Sequence, residues 1–201
     1  MDFSLETIKR EIKELPEKEF LIKYILRSNN WYFSIYLQLS ENDAIAQLET
    51  LKEILNAHMG VAFHNILLVG SSKIGCSLAP YKKFKKFDEE ADNHSDIDIA
   101  IISSKLFNQL WDTIRHGYYK IKDRVYYARI TSSIFRGFIN EKDFINIDEL
   151  RPQWNSRIDR INKDIQKKIA ILHPINYRIY RSWEDLEDYH ILGIQKLKKS
   201  I

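Results

Sequence analysis

Two stretches of this chain decide its fold: Asn65-Ile-Leu-Leu-Val-Gly-Ser-Ser72 and Ser95-Asp-Ile-Asp-Ile-Ala-Ile-Ile102. The first places four apolar residues directly before a glycine and two serines, which is typical of a buried strand that ends in a turn. The second alternates at its start and then becomes apolar throughout, as expected of a strand that is covered on both faces. Together they predict two core strands of an α/β protein.

The second stretch carries two carboxylates on one face. Asp96 and Asp98 are two residues apart, and they point the same way because successive strand side chains alternate between faces. Like charges placed side by side among isoleucines are costly unless something compensates them. A divalent cation such as Mg²⁺ is the natural compensation, since it binds carboxylate oxygens together with phosphate oxygens. The alternative is a solvent-facing edge strand, and the apolar run at 99–102 argues against it.

The turn after the first strand offers groups that bind an anion. Glycine lets the backbone approach a ligand closely, and a strand-to-helix turn directs free amides and a serine hydroxyl towards it. Gly70, Ser71 and Ser72 are therefore candidates for phosphate binding. Lys73 either reaches a phosphate or lies exposed. An ordinary turn that caps a helix would be preferred if the aspartates did not follow, but a phosphate turn followed by a metal-binding pair describes a phosphoryl or nucleotidyl transfer site.

These features resemble the signature of the DNA polymerase beta-like nucleotidyltransferase superfamily: Gly70-Ser71, a short helix, and Asp96-Ile97-Asp98 on the next strand. The resemblance covers residues 66–102 and implies a small mixed sheet with flanking helices. It also implies that the glycine and serine hold a triphosphate, such as ATP, and that the two aspartates bind two Mg²⁺ or Mn²⁺ ions. The superfamily includes template-independent polymerases and bacterial defence enzymes. An antiviral-defence or toxin–antitoxin setting with a cognate partner chain is a further implication.

The resemblance also implies a third catalytic carboxylate on a later strand, and its position is less evident. The segment 175–181 alternates like a strand but contains no acid. Asp148, in the short alternating segment 144–150, is the favoured candidate. Glu184 and Asp185 at a predicted helix start are alternatives, although acids there also complement the helix dipole.

A loop between the two stretches interleaves lysines with aromatic residues. Basic and aromatic residues together suit nucleic-acid backbones and base stacking. Acids follow and cancel the charge, so a solvated loop is the favoured interpretation and nucleic-acid contact stays an alternative. His94 is interpreted as a surface residue. The loop contains Tyr81, Lys82, Lys83, Phe84, Lys85, Lys86 and Phe87, followed by Asp88, Glu89, Glu90 and Asp92.

Length and composition predict one compact domain, with a helical extension (1–60) packed on a core (61–201). No apolar run approaches the roughly 20 residues of a membrane span, and the N-terminal sequence does not read as a secretory signal. Cys76 is the single cysteine, which excludes an intrachain disulfide and suits the cytoplasm. A net charge of +3 is too small to argue for nucleic-acid binding by itself.

The remaining pattern predicts mostly helices. Ser4 and Ser40 are candidate N-caps, and the aromatic stretch 31–37 is ambiguous between helix and strand. Helices are predicted over 4–28 with a break at Pro16, and over 40–60, 103–117, 123–138, 152–172 and 183–199; a strand is predicted over 175–181.

The sequence therefore predicts a metal-dependent nucleotidyltransferase. It would transfer a nucleoside monophosphate from a nucleoside triphosphate to a hydroxyl of a nucleotide, a nucleic-acid end or a protein, and release pyrophosphate. The alternative is a catalytically inactive nucleotide-binding or partner-binding module, such as an antitoxin-like or regulatory subunit. A third interpretation is a nucleic-acid-binding protein that uses the lysine loop, whose affinity would fall steeply with salt.

Overall fold

A mixed four-stranded sheet lies at the centre of the fold. The computed structural model describes residues 1–90, 94–117, 125–144, 147–148, 150–169, 171 and 173–201. The strands are β1 (Ile66–Val69), β2 (Ile97–Ile102), β3 (Phe138–Asn140) and β4 (Ile175–Tyr180), and their order in the sheet is β1-β2-β4-β3. The prediction of an α/β protein with a small mixed sheet is confirmed.

The last strand in the chain occupies an inner position of the sheet. β2 pairs with β1 in antiparallel fashion and with β4 in parallel, and β3 closes the far edge antiparallel to β4. The register places Asp98 opposite Val69 on one side and opposite Asn176 on the other. The residues of the aspartate strand are thus flanked by strands from both halves of the chain.

Helices flank this sheet. Two π-type helical turns, at Ile22–Leu26 and Tyr32–Tyr36, and a 3₁₀ turn at Phe63–Asn65 lie before β1. In the described ranges, no helix is both long and apolar enough to cross a membrane. The helices are α1 (Leu5–Glu14), α2 (Glu17–Leu21), α3 (Glu41–Met59), α4 (Gly70–Ile74), α5 (Ser104–Gly117), α6 (Val125–Phe135), α7 (Glu141–Phe144), α8 (Arg151–Lys168) and α9 (Trp183–Lys198).

The two faces of the sheet bury separate apolar clusters. Ile97, Ile99 and Ile101 of β2 pack with residues of α3, α5 and α8 on one face. Ala100 and Ile102 pack with residues of α1, α2, α4 and α9 on the other. β2 is therefore covered on both sides, as its apolar run predicts, and strand alternation assigns Asp98 to the face of Ala100.

Both predicted N-caps are present. The Ser4 hydroxyl accepts a hydrogen bond from the Thr7 amide, and the Ser40 hydroxyl accepts one from the Asp43 amide. Each bond satisfies a first-turn N–H that has no partner within its helix, which typically stabilises a helix by about 1 kcal/mol. Gly60 ends α3 in the left-handed conformation at a φ of 64°.

Several predicted boundaries need correction. The helix expected over 123–138 ends at Phe135, because Phe138 begins β3 and pairs with Tyr180. The helix expected to reach residue 172 ends at Lys168. The aromatic stretch forms a π-type turn that buries Tyr32. An extended segment is expected over 144–150, but Phe144 is the last residue of α7. Residues 145, 146 and 149 lie outside the described part.

Candidate active site at the start of strand β2

The turn after β1 meets Asp98 of β2. Gly70 follows Val69, which is the register partner of Asp98. Gly70 has a φ of +71°, and a methyl group on its Cα would collide with Asp98 Oδ2 and lie 3.2 Å from Asp98 Cβ and Cγ. Glycine is therefore required here both by backbone conformation and by the close approach of the carboxylate. The structure thus brings the predicted phosphate turn into contact with one predicted metal ligand.

The two aspartates have different environments. The Asp98 residue is partly exposed, but surrounding atoms desolvate its carboxyl, and this burial raises its pKa above the ordinary 3.8. Arg178 lowers that pKa and the Asp96 charge raises it, so the net shift remains upward. The Asp96 side chain is 35% exposed, and its Oδ2 accepts a hydrogen bond from Lys142 Nζ at 2.8 Å. The Asp98 carboxylate is therefore the one that a cation would compensate most.

β4 lines the other side of the aspartate. Asn176 is the register partner of Asp98, and Arg178 is two residues further along the same strand face. The Asn176 Nδ2 atom is buried and has no hydrogen-bond partner among the described residues. The Arg178 guanidinium lies 4.6 Å from the ring centroid of Tyr189 and 5.4 Å from that of Phe138. A positive charge is thus fixed between aromatic rings beside the site.

The third carboxylate is not supplied by the strand next to Asp98. At that register position β4 carries Asn176, a neutral amide. The favoured sequence candidate, Asp148, lies before α8 with a side chain that is 89% exposed, and its Oδ1 is 3.3 Å from Arg151 Nη2. Asp185 is ion-paired with Arg181, and its amide donates to the hydroxyl of Ser182, which is the N-cap of α9. The assignment of Asp148 to the site stays a prediction.

The four residues predicted to bind phosphate differ in availability. Gly70 and Ser71 are half-buried at the turn. The Ser72 hydroxyl is fully buried and donates to the Val69 carbonyl at 3.1 Å. Lys73 is 2% exposed, which excludes the alternative of an exposed lysine, and its ammonium donates to the carbonyls of Arg27 and Asn29. Phosphate binding by Ser72 or Lys73 would require these internal hydrogen bonds to break.

This geometry predicts a structural role for Lys73. In Lys73→Met we expect the free energy of unfolding to fall by about 1–3 kcal/mol, because two carbonyls lose a charged donor. The affinity for a nucleoside triphosphate should change less than about twofold, since the ammonium does not face the turn. Urea unfolding and nucleotide titration measure the two quantities, and Lys105→Met, on the exposed face of α5, is the matched control. A tenfold loss of affinity at unchanged stability would instead place Lys73 on the phosphate.

The lysine loop has little aromatic surface to offer to bases. Phe84 and Phe87 are buried in the two apolar clusters, and Tyr81 is exposed. Lys85 Nζ lies 2.6 Å from Glu90 Oε1, so one of the lysines is already ion-paired. Lys82 is near enough to lower the pKa of Asp98. The loop thus belongs to the surroundings of the aspartates more than to a separate nucleic-acid surface.

Cys76 is not part of this site. It is 2% exposed, and burial raises the pKa of its thiol to about 12. A protonated, buried thiol is a packing group.

No family model matches the sequence, and no curated protein or solved structure is significantly similar to the chain. The resemblance to the polymerase beta-like superfamily therefore depends on the residues of 66–102.

Proposed function

We propose that this protein is a metal-dependent nucleotidyltransferase whose centre is formed by Gly70, Ser71, Asp96 and Asp98. The observation that carries the proposal is the convergence of the β1 turn and the aspartate strand, with Gly70 packed directly on Asp98. A phosphate held by the turn would lie beside the Asp98 carboxylate. That adjacency is the arrangement that phosphoryl and nucleotidyl transfer require, because catalysis there is mainly positioning and charge compensation.

The residues at this point fit a divalent cation. Lys142 Nζ lies 2.8 Å from Asp96 Oδ2, so a positive charge is already favourable beside the pair. Burial raises the pKa of the Asp98 carboxyl, and a bound cation would offset the cost of its negative charge. Mg²⁺ or Mn²⁺, when bound, would lower the pKa of an acceptor hydroxyl and neutralise charge on the triphosphate.

The proposed reaction conserves the phosphate groups. An oxygen of the acceptor hydroxyl forms a bond to the α-phosphorus, the bond from the α-phosphorus to the bridging oxygen of the β-phosphate breaks, and pyrophosphate leaves. The hydroxyl proton passes to solvent or to a basic group of the acceptor complex. Gly70 and Ser71 would fix the β- and γ-phosphates through the backbone and the serine hydroxyl. Asp96 and Asp98 would hold the divalent cation.

One observation supports a second candidate, a nucleotide-binding module without turnover. At the register position beside Asp98, β4 carries the neutral amide of Asn176, where a third carboxylate would complete the catalytic set. An antitoxin-like or regulatory subunit would retain the turn and the aspartates for magnesium-dependent binding alone. This candidate predicts binding of triphosphate and metal with no release of pyrophosphate.

Incubation with each α-labelled nucleoside triphosphate separates the two candidates. With Mg²⁺ or Mn²⁺, and with nucleotide, nucleic-acid and protein acceptors supplied in parallel, we expect labelled product and pyrophosphate from the unaltered protein. The variant Asp96→Ala/Asp98→Ala should give none, and Asp112→Ala, on exposed α5, should match the unaltered protein. Triphosphate binding without product for any acceptor would favour the binding module, and product from the double variant would contradict both candidates.

A further inference from the structure

Three metal-binding side chains meet outside the candidate active site. Asp88 Oδ2, His94 Nδ1 and His173 Nε2 lie within 4.8 Å of one another. The Asp88 oxygen is 2.6 Å from His173 Nε2 and 3.9 Å from His94 Nδ1. Asp88 and His94 belong to the segment before β2, and His173 directly precedes Pro174 and β4. The cluster therefore joins two distant parts of the chain.

The Asp88 carboxylate is held in a fixed orientation. Its Oδ1 accepts a hydrogen bond from the Ser95 amide at 2.7 Å, and the Ser95 hydroxyl accepts one from the Asp88 amide at 3.0 Å. This reciprocal pair leaves Oδ2 directed towards the histidines. Tyr36 Oη also donates to Oδ2, at 2.8 Å. Such outer contacts orient a ligand before any ion binds.

The His173 ring is fixed as well. Its side chain is 7% exposed, and its Nδ1 lies 2.9 Å from Tyr32 Oη. The rings of Tyr32, Tyr36 and Phe87 surround it at centroid distances of 5.0–5.4 Å. The contact between Nδ1 and Tyr32 Oη orients the ring so that Nε2 faces Asp88. His94 is the open member, since its side chain is 70% exposed.

We propose that Asp88, His94 and His173 form a site for a divalent transition-metal ion, with Zn²⁺ as the expected occupant. Two imidazoles and one carboxylate form a donor set for zinc or iron, whereas Mg²⁺ prefers oxygen ligands. Zinc ligands at about 2.1 Å in tetrahedral geometry lie about 3.4 Å apart. The distances from Asp88 Oδ2 to His173 Nε2 and to His94 Nδ1, 2.6 and 3.9 Å, reach that value by shifts of less than 1 Å.

Binding would replace a shared proton with the ion. Asp88 Oδ2 and His173 Nε2, 2.6 Å apart, would both coordinate the metal, and the proton of their hydrogen bond would leave to solvent. Three protein ligands leave one position for water or another small ligand. The ion would connect the segment before β2 to the segment before β4. A hydrogen bond from the Ile97 amide to the Pro174 carbonyl already joins the chain at these two places. The site does not depend on the proposed nucleotidyl transfer.

Calorimetric titration of the chelator-treated protein with Zn²⁺ in excess Mg²⁺ tests this site. We expect one Zn²⁺ per chain, and tetrahedral absorption when Co²⁺ replaces it. His94→Ala removes an exposed ligand without disturbing the core, and its affinity should fall by more than the roughly 10- to 100-fold that outer contacts typically contribute. His64→Ala, at another exposed histidine, should bind as the unaltered protein does.

Three results would overturn the site. They are the absence of stoichiometric Zn²⁺ binding, equal affinity in His94→Ala and the unaltered protein, and loss of the bound Zn²⁺ in Asp96→Ala/Asp98→Ala but not in His94→Ala. The last result would place the ion on the aspartate pair. None of these measurements uses nucleotidyl transfer as its readout. Failure of the zinc-site proposal can therefore be distinguished from failure of the nucleotidyltransferase proposal.

Discussion

Replacing Asp98 with asparagine is expected to abolish nucleotidyl transfer while leaving the metal-free protein as stable as before, or more stable. Asparagine keeps the shape of the side chain but removes a charge that burial makes unfavourable. The loss of a metal ligand removes several kcal/mol of transition-state stabilisation. At about 1.4 kcal/mol per tenfold change, this corresponds to a rate lower by on the order of 10³-fold or more. Pyrophosphate release and thermal unfolding measure the two effects.

The pH dependence of stability gives a second signature of Asp98. Because its folded-state pKa lies above the ordinary 3.8, the folded protein binds this proton more tightly than the unfolded chain does. The resulting stability is fully present below about pH 3.8 and is lost as the pH rises through the raised pKa. Asp98→Asn should remove this part of the slope. Mg²⁺ should stabilise the unaltered protein increasingly as the pH rises, since it binds the deprotonated carboxylate.

Asp112→Asn is the matched control, because that carboxylate is exposed on α5 and lies 3.6 Å from Arg115. It should change neither activity nor the slope. Retention of a tenth or more of the activity in Asp98→Asn would refute the role of Asp98 as a metal ligand. A marked fall in the stability of the metal-free variant would show that Asp98 and Arg178 form a stabilising pair instead.

Gly70→Ala is the second change with a large expected effect. The added methyl group meets Asp98 Oδ2 and forces the carboxylate to move, while an alanine at a φ of +71° adds about 1–2 kcal/mol of backbone strain. Displacement of a catalytic group by about 1 Å can lower a rate by 10²-fold. We therefore expect both lower stability and an activity loss of about a hundredfold or more.

Gly60→Ala separates strain from collision. Gly60 has nearly the same φ, +64°, and nothing lies within 4 Å of the place where its Cβ would be. Its substitution should cost about 1–2 kcal/mol of stability and leave activity unchanged. If Gly60→Ala and Gly70→Ala lose activity equally, the activity does not depend on the contact between Gly70 and Asp98. In the double variant Gly70→Ala/Asp98→Asn, the loss of activity should be smaller than the sum of the losses in the two single variants, because the two residues act together.

Local features of this fold are well predicted from the sequence. The period of two in 96–101 assigns Asp96 and Asp98 to one face, and the apolar run correctly predicts that β2 is covered on both faces. Serine side chains predict the starts of α1 and α3, because a first-turn amide needs an acceptor and serine supplies one. These features depend on neighbouring residues alone.

Features that depend on distant residues were not predictable. The sequence places Asn176 and Arg178 on one face of a strand, but the parallel register that puts them beside Asp98 is decided by packing between separate parts of the chain. Lys73 follows a turn and resembles a surface lysine. It is buried because carbonyls at 27 and 29, after a π-type turn, need a donor.

The same explanation covers groups that the sequence did not single out together. Lys142 is one charged residue among many until the fold brings its ammonium to Asp96. His94 is exposed, as expected, and only the approach of His173 gives it neighbouring metal ligands. No spacing in the sequence marks such a cluster, because its members come from segments that precede different strands of the sheet.

The inner position of β4 has a consequence for the order in which the protein can be made. A ribosome delivers β1, β2 and β3 before β4, yet β4 must lie between β2 and β3. Until residue 180 has emerged, β2 has an open apolar edge that can pair with other chains. β4 comes to lie beside the aspartate strand only when it enters the space between β2 and β3. Nascent chains would therefore lack the complete site, and chaperone protection of the exposed β2 edge would matter most during that interval.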